Sequence, residues 1–144
     1  MQRRGMFGVA LTGAVVVALV VLARDLARSA DLRYISRATG MVFPSGCADV
    51  DVYDAGEFYL AAHLRLPVGE VDPFLEKGGF QDTVVSVAPW IDVLKPGNRE
   101  IPEDAELVFL EGREDMNAWV CALDRNSGRL WMVVFYPDPG GTPP

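Results

Sequence analysis

The sequence predicts an α+β protein: an N-terminal transmembrane helix with a helical stem, then a small antiparallel sheet of about five strands with one packed helix. Three observations carry this reading. Residues 6–23, MFGVALTGAVVVALVVLA, form an uncharged run of eighteen. After residue 47, apolar and polar residues alternate in several short runs. Stretches containing Gly, Pro or Asn separate those runs at hairpin distances. Four segments follow: a signal-anchor or transmembrane helix over 1–23, a helical stem over 24–39, an α+β domain over 40–137 and a Pro/Gly-rich tail over 138–144.

As a helix, residues 6–23 extend about 27 Å at ~1.5 Å per residue, close to a hydrocarbon core of ~30 Å. A cleaved signal peptide usually has an apolar region of only ~7–15 residues, and here no polar spacer precedes a cleavage site at Val21-Leu22-Ala23, so a retained anchor is expected. A soluble core helix explains the run less well, since it would need apolar surroundings on every side. For orientation, four Arg soon after the run against Arg3 and Arg4 before it favour a cytoplasmic domain. The short basic N-terminus and the two cysteines favour export, and an extracytoplasmic domain is the expectation.

Charge divides the chain. Residues 1–37 hold six Arg against Asp25 and Asp31, and residues 38–144 carry a net charge of −11. So acidic a body repels phosphate backbones, so nucleic acid is not an expected partner. The Arg residues beside the apolar run suit anionic headgroups, each contributing about 1 kcal/mol on a charged leaflet.

The stem, 24–39, keeps a helical period through Leu26, Ile35 and Ala38, and Gly40 is its stop signal. Pro44 and Gly46 mark a turn into the domain. Residues 48–53 and 57–66 both alternate, with Asp54-Ala55-Gly56 as a three-residue turn. That turn predicts pairing of Val52 with Phe58 and of Val50 with Leu60. It sends Phe58, Leu60, Leu64 and Leu66 inward and leaves Asp49, Asp51, Tyr53, Tyr59, His63 and Arg65 on the opposite face. A short helix over 69–77 follows, with Glu70 and Asp72 at its positive end and Pro73 in its first turn, and Gly78-Gly79 ends it. Residues 83–88 read as a strand, 89–103 as loop, and 106–111, 117–124 and 129–136 as further strands, the last two joined by Arg125-Asn126-Ser127-Gly128.

The stretch TGMVFPSGCADVDVYDAGEFYLAAHLRLPVGEVDPFLEKGGF resembles that of small bacterial envelope proteins with an N-terminal membrane anchor or lipoprotein signal. It is a strand pair leading through a leucine-proline step into a short acidic helix, and covers about a third of the chain. The resemblance implies an envelope location and brings no activity, cofactor or catalytic residue with it.

Chemistry-bearing residues are few. Cys47 and Cys121 form an even pair, which in an oxidising compartment suggests one disulfide worth about 4 kcal/mol in the chain-entropy model. In the cytoplasm they would be two small buried hydrophobes. His63 is the sole histidine, and the cysteines have no zinc spacing. Asp49, Asp51, Asp54 and Glu57 do not make a calcium loop, because the fifth and sixth positions are Tyr53 and Asp54 where an oxygen ligand and Gly are required. Ser45, Ser86 or Ser127 with His63 lacks a nucleophile-elbow signature. No metal or cofactor is expected. Two functions remain: an interaction or accessory domain that binds a protein partner through the Asp49, Asp51, Tyr53, Tyr59, His63, Arg65 face, or a hydrolase-like envelope enzyme with a site around His63. The face mixes Tyr and Arg, residues favoured at interfaces.

Overall fold

The computed structural model describes residues 5–56, 58–78 and 101–136, with side chains in the first helix from Gly13 onward, Ala14 excepted. That helix, α1, runs unbroken over Gly5–Thr39, so the segments expected as anchor and stem are one element. It stops where expected. Gly40 adopts φ 71°, a left-handed conformation that suits glycine, and its N–H donates to the Ser36 carbonyl at 2.9 Å. Thr39 Oγ1 donates to Ile35 O at 2.8 Å and accepts from the Met41 N–H at 3.2 Å, turning the chain toward the sheet.

The chain divides into two compact units, one through Ala30 and one from Asp31. In the first, Val15, Val16, Val17, Leu19, Val20, Val21 and Leu22 are all exposed, at 48–63% of their surface. Such consecutive positions point to every side of a helix, so this segment has no single apolar stripe. Among the described residues no helix is long and apolar enough to cross a membrane. A span of eighteen residues counted from Gly13 already takes in Arg24, Asp25 and Arg28.

The second unit contains the end of α1, a five-stranded antiparallel sheet and a short helix. The strands are β1 (Ala48–Asp54), β2 (Tyr59–Arg65), β3 (Leu107–Glu114), β4 (Asn117–Asp124) and β5 (Arg129–Phe135), in the order β1-β2-β5-β4-β3. After β2, a 3-10 turn over Val68–Glu70 leads into α2, Val71–Lys77, which matches the expected short helix. The strand expected over 83–88, the loop residues Trp90, Ile91, Val93 and Leu94, and the tail from residue 137 lie outside the described residues.

The first hairpin differs in register from the expectation. Asp51 lies opposite His63, Val52 opposite Ala62 and Asp54 opposite Leu60. The loop is longer because Asp54 Oδ1 accepts the Gly56 N–H at 2.8 Å and the Ala55 N–H reaches Tyr59 O at 2.9 Å. Phe58 therefore falls outside the ladder and is 75% exposed, not inward. The slip is an even number of residues. Side chains alternate with period two, so residues from Asp51 onward keep their expected faces, whereas the register shift before Asp51 turns Ala48 to the face of Arg65, its ladder partner.

One sheet face buries Leu60, Leu64, Leu110, Cys121, Leu123, Leu130, Met132 and Val134 against Ile35, Ala38 and Met41 at and beyond the end of α1, and Val71 and Phe74 of α2. Two helical segments cover this face where one packed helix was predicted. Each fully buried side chain of leucine size contributes roughly 1.5–3 kcal/mol. The opposite face has a second cluster of Ala61, Ala122, Trp131 and Val133, with Tyr59, Phe109, Val120 and Phe135 half-buried around it. β4 and β5 have apolar residues at successive positions, which is the pattern of strands buried on both sides.

Candidate functional site

The six residues expected on one face do share it, in three rows across β1, β2 and β5. Tyr53 and Tyr59 make the first row, their rings 6.3 Å apart and tilted by 45°, with Tyr59 opposite Phe135. The second row is Asp51, His63 and Trp131, directly opposite one another; the His63 and Trp131 rings are 5.6 Å apart. In the third, Arg65 Nε meets Asp49 Oδ2 at 3.0 Å. This last contact depends on an irregularity in β1. The register shifts between Ala48 and Asp51, Asp49 takes φ 52°, and the extra residue reaches across to Arg65 although Ala48 is its ladder partner.

Exposure falls from the sheet edge inward. Tyr53 is 60% exposed, Tyr59 and His63 are half-buried, and Trp131 is buried. The expected open face is therefore an exposed rim along β1 that merges into a second core, and only Asp49, Asp51, Tyr53 and Arg65 of the six are open. The Arg65–Asp49 pair is about half exposed on both sides, so it is worth ~0–1 kcal/mol to the fold and is available to a partner.

Of the groups a hydrolytic site would use, Asp51 lies opposite His63, whereas Ser45 is in the turn before β1. His63 packs on an indole ring, and the Ser127 hydroxyl donates to Asp124 Oδ2 in the β4–β5 turn. Asp124 is itself a buried cap there: its Oδ1 accepts the Glu106 and Asn126 N–H groups, each at 3.2 Å. Ser86 lies outside the described residues. Among the described residues no group of three or more His, Cys, Asp or Glu could hold a metal ion. A shallow depression beside Arg65, lined by Gly46, Ala48, Leu66, Pro67, Val68 and Ser127, has a volume of about 220 Å³. Small-molecule sites usually occupy ~300–1,000 Å³ with convergent polar groups, so this is a surface dimple.

Cys47 and Cys121 are separate thiols, so the expected disulfide is not formed in the structure. Cys47 Sγ donates to Pro44 O at 3.2 Å in the turn before β1. Cys121 is buried in the first core cluster, between Leu110 on β3 and Met132 on β5. Burial pushes the Cys47 thiol up to about 11 and the Cys121 thiol higher still, with backbone hydrogen bonds opposing only partly.

One cluster has no sequence signal. The Tyr34 hydroxyl, on the last turns of α1, lies 3.3 Å from Asp54 Oδ2 and 2.8 Å from the Tyr136 hydroxyl. Partial burial, then the Tyr34 hydroxyl and the Asp54 charge, raise the Tyr136 phenol above its ordinary range. The partners come from three distant parts of the chain, and no spacing rule links them.

The fold and its rim define an α+β domain with an exposed surface along the edge strand β1. No family model, no curated protein and no solved structure matches the chain.

Proposed function

We propose that this chain is a membrane-tethered extracytoplasmic interaction or accessory domain, held by residues 6–23 and binding a protein partner through the exposed rim of β1. The binding half of the reading rests on one observation: Tyr53 is 60% exposed beside Tyr59, in a rim that also presents Asp51 and the half-open Arg65–Asp49 pair. An exposed large aromatic ring and a guanidinium on one rim are side chains enriched at interfaces. The tether is supported by the uncharged run 6–23 and by the all-round exposure of Val15 to Leu22, which water disfavours and lipid accepts. The resemblance to anchored envelope proteins supports the extracytoplasmic side.

Two experiments test the halves separately. Carbonate-washed membranes should retain the full chain and release one with Val16 and Leu19 replaced by Asp. Protease outside intact spheroplasts should digest residues 40–144, and protection there would reject the orientation. For the rim, a photoreactive residue at position 53 should capture a defined protein in intact membranes, whereas one at Met116, which is 75% exposed, should not. Arg65→Ala should abolish the capture at unchanged thermal stability. Equal labelling from both positions would reject the rim as a binding surface.

A further inference from the structure

The two edges of the sheet are built differently. β1 has a register irregularity, a positive φ at Asp49 and three aspartates, devices that keep another strand from pairing there. β3, the other edge among the described residues, has neither the irregularity nor the positive φ, and its charges, Glu111, Arg113 and Glu114, are of both signs: it pairs with β4 through eight consecutive residues, Leu107 to Glu114, without a shift. We propose that the β3 edge is a self-association surface, on which a second copy of this chain adds its own β3 antiparallel, with the twofold axis at Gly112.

The choice of a second copy follows from charge. Glu111 and Arg113 are exposed, flank Gly112 and lie on the same face. Neither belongs to an ion pair within the chain among the described residues. In an antiparallel pair, residues directly opposite share a face, so the two copies must meet in an even register to continue one sheet. Pairing about Gly112 is the register that sets Glu111 of each copy against Arg113 of the other, twice across the axis. Pairing about Glu111 or about Arg113 would oppose like charges. The central glycine adds no side chain of its own at the axis, and it cannot gain one cheaply, because a Cβ there would lie 2.7 Å from Trp119 Cε2. This inference does not depend on the partner rim of β1, which is at the other end of the sheet.

The test is charge exchange in the purified full chain in detergent micelles, read by sedimentation. The wild-type chain should dimerise. Glu111→Arg and Arg113→Glu should each weaken the dimer about tenfold or more, since each turns two attractive cross-strand pairs into repulsive ones. The double exchange should restore it. Mixing the two single variants should also yield a heterodimer, because Arg at 111 and 113 of one then faces Glu at 113 and 111 of the other. Thermal melts of all variants should coincide at concentrations low enough to dissociate the dimer, and the mixture provides a control even if one variant melts early. A wild-type chain that stays monomeric would overturn the proposal, as it would if residues 83–88 of the same chain occupy this edge. A dimer indifferent to both exchanges, as expected if α1 alone associates in the micelle, would equally overturn it.

Discussion

The Tyr34 hydroxyl lies 2.8 Å from that of Tyr136, joining residues 102 positions apart and fastening the last turns of α1 to the end of β5. Asp54 Oδ2 completes the contact at 3.3 Å from Tyr34, so helix, first strand and last strand meet at one point. Tyr34→Phe removes both hydrogen bonds and should lower stability by about 0.5–1.5 kcal/mol in urea unfolding. The same contact has a pH signature. The Tyr136 phenol is raised above its ordinary value of 10, so the folded state favours the neutral form. Its stabilisation is whole below pH 10 and is lost as pH climbs beyond it. Tyr136→Phe should flatten the alkaline decline in a series of melts above that pH, and an unchanged slope would contradict the assignment.

Asp124 should be the most sensitive polar residue in the sheet. Its buried carboxylate holds the Glu106 N–H before β3 and the Asn126 N–H and Ser127 hydroxyl in the β4–β5 turn. Asp124→Ala leaves those donors without their acceptor and should destabilise by roughly 2–4 kcal/mol, whereas Arg125→Ala, two-fifths exposed in a 3.8 Å pair with Asp72, should change stability by less than about 0.5 kcal/mol. Denaturant melts of the two variants side by side give the comparison.

Gly112→Ala should destabilise by about 1–3 kcal/mol, because Trp119 lies against the position that the new methyl group would fill. Adding Trp119→Phe, which shortens the opposing ring, should recover part of the loss. If the two effects simply add, the ring is not the cause.

The thiols should be sluggish. With Cys47 at about 11 and Cys121 higher, little thiolate exists at pH 8, so alkylation of the native protein should be slow at Cys47 and absent at Cys121 until denaturant is added. Both raised values favour the protonated fold, so their contribution is complete below the ordinary thiol value of 9 and fades above it. Peptide mass analysis after native and denatured alkylation reads the two sites separately. A linked Cys47–Cys121 peptide from unreduced protein would overturn the separate-thiol arrangement.

The period-two runs were enough to locate all five described strands, and Gly40 and the acidic first turn of α2 located the helix boundaries. These signals are local: they depend on backbone conformation and side-chain alternation within a few residues. The register of the first hairpin was not legible, since it depends on how Asp54 and Ala55 bond within the loop. Burial of the second face had a signal in Trp119-Val120-Cys121-Ala122-Leu123 and Leu130-Trp131-Met132-Val133-Val134, where alternation gives way to continuous apolar sequence. Alternation in β1 and β2 concealed it there.

By itself the sequence determined the α+β class, the described strands, the end of α1 and which residues share a face from Asp51 onward in the first hairpin, because period and turn chemistry act over short range. Only the tertiary structure decided how far the His63 face stays open, that Cys47 and Cys121 remain apart, and that Tyr34 meets Tyr136. Those outcomes depend on which strands become neighbours, β2 beside β5 and β3 beside β4. That order is set by packing summed over the whole core, which no short stretch of residues encodes.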